Sequence, residues 1–228
     1  MDRIYFDGNP WPNGHRIAHF EWSAHFKTEE AYSRTPGLYF DLHVKTAEYD
    51  EEDLDDELEE EEPPTDWQAK IVWNNYHSCT LSTQEWDDKG FCVGTADAPF
   101  NPVTLDGQTF LVDHLENDAP ENFDFDSTAF DVYLLGHDAV AFHTITFTRI
   151  ENNTYKIDWQ GKLANTYAGD DAFKYDFQTV IAAATFRGIL IPDEMTNEAA
   201  ITLLQRFVSK PELFELDNNN GNRRFLFK

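Results

Sequence analysis

A strict two-residue alternation, met twice early in the chain, constrains the fold more than any other feature. Phe20, Trp22, Ala24 and Phe26 fall on one side of an extended segment, with Glu21, Ser23 and His25 on the other. The pattern returns with Leu38, Phe40, Leu42 and Val44 set against Tyr39, Asp41, His43 and Lys45. Side chains of a strand point to opposite faces in turn, so this period marks two half-buried strands. Pro36-Gly37 and the polar stretch before it supply the turn of a long-looped hairpin.

Further strands are predicted over residues 67–76, with Ile71 and Trp73 on one side, and over 109–113, 130–135, 142–150, 155–164, 173–184 and 224–227. Residues 79–85 and 90–95 read as a hairpin about Trp86-Asp87-Asp88-Lys89-Gly90. One helix is predicted, over 194–209, where Ala200, Ile201, Leu204, Phe207 and Val208 form a stripe at helical spacing. Lys210-Pro211 ends it, because the residue before proline resists the helical region. The expectation is a single mainly β domain over 1–228, an antiparallel sandwich or strongly curved sheet with that amphipathic helix packed on it.

Charge narrows the partners. Forty-three acidic residues stand against 17 Lys and Arg, a formal net charge of −26. Twelve of the fifteen residues from 48 to 62 are Asp or Glu, and Pro63-Pro64 follows, so 48–64 is expected as an exposed acidic loop within the domain. Aromatic residues make up 15% of the chain, enough to build a core despite this repulsion. Such an excess repels phosphate backbones and anionic lipids and favours cationic partners. Nucleic acid and membrane are therefore not expected partners, and a basic protein is. With only Cys79 and Cys92 and no opening basic-then-apolar segment, the sequence suits the cytoplasm with both thiols reduced and buried.

No Gly-x-Ser-x-Gly, His-Glu-x-x-His, phosphate-binding glycine loop or Cys-x-x-Cys is present, so no cofactor is implied. Three readings of function follow. The first is a non-enzymatic acidic protein that occupies a basic protein surface, similar in charge, though not in motif, to immunity proteins. Asp118, Glu121, Asp124 and Asp126, interleaved with Phe123 and Phe125, are its candidate contacts. The second is a metal-assisted enzyme. A symmetric first hairpin sets Glu21 opposite His43 and Ser23 opposite Asp41, so Glu21, Asp41 and His43 converge with His25 on one sheet face. The third is a carbohydrate-binding β protein that stacks sugars on Trp11 or Trp86, both in predicted turns.

Two weaker patterns complete the reading. Phe20-Glu21-Trp22 with Phe40-Asp41-Leu42 resembles Ile157-Asp158-Trp159 with Tyr175-Asp176-Phe177, and the same symmetric register would set Gln160 opposite Asp176. His137, Asp138 and His143 form a second histidine cluster, with His137 in a turn after Gly136.

Overall fold

The computed structural model describes residues 1–28, 35–52, 63, 65–84, 89–114, 127–218 and 223–228. Its elements in chain order are β1 (Arg3–Phe6), β2 (His15–Lys27), β3 (Gly37–Thr46), α1 (Lys70–Asn74), β4 (Thr80–Ser82), β5 (Phe91–Gly94), β6 (Thr109–Val112) and β7 (Asp131–Tyr133). There follow β8 (His137–Glu151), β9 (Thr154–Ala164), β10 (Tyr175–Thr185), β11 (Ile189–Leu190), α2 (Asn197–Phe207), β12 (Phe214–Asp217) and β13 (Arg224–Phe227).

Eight strands close an antiparallel barrel, in the order β2, β1, β10, β9, β8, β7, β4, β3 and back to β2. The long ribbons β2–β3 and β8–β9–β10 form its walls, and the short β1, β4 and β7 join them. Beyond the closed girdle, β5 extends β3, β6 extends β8, and β11 runs parallel to β2 and carries β13 and β12. The expected antiparallel sandwich or strongly curved sheet is met only in part: the fold is mainly β, but its strands close into one barrel and not two packed sheets, which removes the free edges along the girdle.

The alternation in β2 and β3 sets the core. Trp22, Ala24, Leu38, Phe40, Leu42 and Val44 are all buried. The Trp22 ring lies 5.0 Å from Phe147, 4.8 Å from Phe186 and 5.4 Å from Tyr155, so opposite walls meet through aromatic side chains. Thr196 caps α2 by accepting the Ala199 N–H, and Ala200, Leu204 and Phe207 bury its apolar stripe, Phe207 against Phe26. Ile201, predicted on that stripe, is 40% exposed.

The segment predicted as a strand over 67–76 instead holds a short turn and α1. Trp67, Ala69 and Trp73 are buried while Ile71 is exposed; a strand would set Ile71 and Trp73 on one face, whereas the helical turn sends residues two apart to different sides. Trp67 and Trp73 join Phe6, Trp11, His15 and Tyr49 in an aromatic cluster, with the His15 and Trp73 rings stacked at 5.6 Å. Nor do residues 79–85 and 90–95 form a hairpin with each other: β4 and β5 both pair with β3, at different heights. In the acidic stretch, Tyr49 is buried and Glu51 pairs with Arg16, so its opening residues belong to the body; 53–62 lie outside the described residues. Cys79 is buried as expected, whereas Cys92 is exposed, and both thiols are free. No helix among the described residues is long and apolar enough to cross a membrane.

Candidate functional site

The first hairpin has the register its sequence predicts, Glu21 opposite His43 and Ser23 opposite Asp41. The polar side of that hairpin is not a solvated surface, however. Thr83 donates its N–H to Leu42 O and the Lys89 N–H donates to Thr83 O, so a fold-back made by Thr83, Gln84, Lys89 and Gly90 lies across the outer face. Beneath it Asp41 is 2% exposed and Ser23 5%. A groove of about 690 Å³ remains beside them, bounded by Glu21, His25, Gln84, Arg187 and Arg224.

The side chains below the fold-back are hydrogen-bonded to one another, with His25 Nε2 the exception. His25 Nδ1 lies 2.6 Å from Asp41 Oδ2, and since a carboxylate only accepts, Nδ1 carries the proton. Thr83 Oγ1 donates to the other oxygen, Oδ1, at 3.0 Å. Gln84 Nε2 donates to Ser23 Oγ at 3.0 Å, and the Gln84 backbone N–H donates to Ser82 Oγ at the same distance. His25 stacks on Tyr39, its cross-strand neighbour, with ring centroids 5.8 Å apart. Gly90 makes the assembly possible. At φ +78°, a Cβ there would lie 2.9 Å from Phe40 O and 3.0 Å from Asp41 Oδ1.

The residues of the expected metal site are engaged with other protein groups. Asp41 is committed to His25 and Thr83, Glu21 faces Arg187 at 3.0 Å and His19 at 3.1 Å, and His43 Nδ1 meets Ser82 Oγ at 2.9 Å. Among the described residues no group of three His, Cys, Asp or Glu can hold a metal ion. Nor is Ser23-His25-Asp41 a nucleophilic triad. His25 Nε2, the atom that would take a serine proton, is buried with no hydrogen-bond partner, and the hydrogen bond of Ser23 runs to Gln84. The hydrogen bonds of Asp41, Thr83, Ser23 and Gln84 orient these groups against one another.

The other candidates fall elsewhere. Trp11 does lie beside the Gly8–Gly14 turn, but it is 6% exposed and packs against His15, Tyr49 and Trp73. Trp86 and the acids Asp118, Glu121, Asp124 and Asp126 lie outside the described residues. The second hairpin departs from symmetry: Gln160 opposes Gln178, and Asp176 opposes Lys162. Asp158 pairs with Lys156, so the two units carry different chemistry on their outer faces.

His137 is exposed at the start of β8 while His143 is fully buried, so the histidine cluster does not form. Trp159 Nε1 donates to His143 Nδ1 at 3.2 Å, and burial pushes the imidazole down to about 3. Sequence reasoning missed the burial of Asp41, whose only local signal is its alternation with the apolar residues of β3. No protein-family model, curated protein or solved structure matches this chain.

Proposed function

We propose that this protein is a non-enzymatic acidic binding protein that engages a basic protein partner. The observation that supports the reading is the way its charges are disposed. Arg16, Lys89, Lys156, Lys162, Lys174, Arg187 and Arg224 are each ion-paired to a carboxylate of the same chain. Arg223 is bound to the carbonyls of Pro192, Asp193 and Met195. By contrast Asp97, Glu151, Asp171, Asp193, Glu194 and Glu198 are exposed and have no ion pair among the described residues. Many of the cations are neutralised by the chain's own carboxylates while a surplus of acids stays exposed, which suits a cationic surface and disfavours nucleic acid. Two free thiols suit a reducing compartment, and the reading places the protein in the cytoplasm.

Electrostatic steering makes association sensitive to salt, since the Debye length falls from about 10 Å at 0.1 M to about 3 Å at 1 M. The test is the association rate of a co-purified basic partner across a salt series. It is expected to fall by an order of magnitude or more as salt rises. Reversing Asp118 and Asp124 to Lys should slow it further, while Lys210→Glu should not. A neutral or acidic partner, or a rate that ignores salt, would sink the reading.

A further inference from the structure

A second depression, of about 780 Å³, lies on the outer faces of β1, β10 and β9. Its floor follows from the register. Tyr5 opposes Gln178, Gln178 opposes Gln160, and one step along the strands Asp176 opposes Lys162. Side chains at these positions share the outer face. Gln160 and Gln178 are both exposed, and among the described residues neither side-chain amide has a hydrogen-bond partner. Lys162 and Asp176 neutralise each other at 3.2 Å. Tyr5, 38% exposed, stands to one side of the amide pair, and Phe142 also lines the depression.

Phe142 is there against its backbone preference. Its φ is +56°, a region that bulky residues seldom enter. The pairing of β8 with β9 slips between Ala141 and Thr144, and this bulge turns Phe142 outward while Ala141 and His143 on either side stay buried. Its N–H donates to Asp113 O at 3.1 Å, and Asp113 is itself held at φ +52°. Two strained residues thus fix a phenylalanine on the outside of a barrel, where burial would otherwise favour the inside.

We propose that this depression binds a neutral polyhydroxylated ligand, a pyranose sugar, through Gln160 and Gln178 with Tyr5 and Phe142 against its ring faces. A primary amide offers donors and an acceptor side by side, the match for vicinal hydroxyls that both donate and accept. The C–H faces of a pyranose suit aromatic walls. Lys162 is neutralised and the whole chain is anionic, so phosphates and carboxylates have no surplus cation to meet. The volume falls within the range of about 300–1,000 Å³ typical of small-molecule sites. Trp11 lines one wall, but its ring is buried, so the stacking falls to the other two aromatics.

The experiment is saturation-transfer difference NMR on the full chain with millimolar glucose, galactose, mannose, N-acetylglucosamine, cellobiose and chitobiose. At least one is expected to show transfer. Gln178→Ala should weaken its binding by about fivefold to tenfold, the worth of neutral hydrogen bonds to one amide. Phe142→Gly should abolish binding while melting at nearly the same temperature, because glycine accepts the positive φ. If that variant folds poorly, Gln178→Ala, at an exposed position, decides alone. Absence of transfer from every sugar, or transfer undiminished in Gln178→Ala, would overturn the proposal.

Discussion

The outer faces of β2–β3 and of β1–β10–β9 begin from the same two-residue alternation and end in opposite states. On the first, Asp41, Ser23 and Thr83 are covered by the returning chain and bonded to His25, Gln84 and one another. On the second, Gln160 and Gln178 stay exposed and unbonded among the described residues, beside a phenylalanine held outward by a bulge. Polar residues that satisfy each other hold structure together, whereas those left unsatisfied at the surface are available to a ligand. The apparent site of the sequence, the His and carboxylate cluster, belongs to the first kind.

The largest expected effect lies beneath the second face. Gly161 makes room for His143, since a Cβ there would come within 2.8 Å of its Nδ1. The buried imidazole has its pKa pushed from 6.5 down to about 3 by desolvation, so the unfolded chain binds a proton that the folded chain rejects. Its contribution is complete above pH 6.5 and is lost progressively as pH falls towards 3, at roughly 1.4 kcal/mol per unit. Urea denaturation of the native chain and His143→Gln across this window should show a flatter profile in the variant. Parallel profiles would mean that His143 titrates normally.

Next in size is the covered face. Asp41→Ala leaves His25 and Thr83 without their acceptor in a buried place, and should cost about 3 kcal/mol in the same denaturation measurement. A loss under about 1 kcal/mol would erase the contrast between the two faces. Gly90→Ala presses a methyl on Phe40 O and Asp41 Oδ1 from a positive φ, and about 2 kcal/mol is expected. The smallest effect should come from the open face. Gln160→Ala is expected to stay within about 0.5 kcal/mol of the native chain, as surface changes usually do. A larger loss would show that this amide is structural and would remove it from the sugar site.

Particular residues show how far the sequence could be read. The pairings of Glu21 with His43 and of Ser23 with Asp41 were legible, because one buried face pins the register of a hairpin. The same logic set Gln160 opposite Asp176 and missed, since the structure pairs Gln160 with Gln178. There the connection between β9 and β10 sets the register, and nothing in the alternation marks it. Phe142 read as the first residue of an ordinary strand, and only its φ reveals it as displaced.

The sequence by itself determined the long amphipathic strands, the apolar stripe of α2 and the anionic balance, because these depend on neighbours within one turn or one pleat, or on composition alone. Only the tertiary structure decided that β1, β4 and β7 close the ribbons into a barrel and that 67–76 coils into a turn and α1. It also decided that Asp41 is covered while Gln160 and Gln178 are not. The physical reason is range. Strands as short as these carry little periodic signal, and their pairing, like the burial of a polar side chain, is settled by segments distant in sequence that come to lie across them.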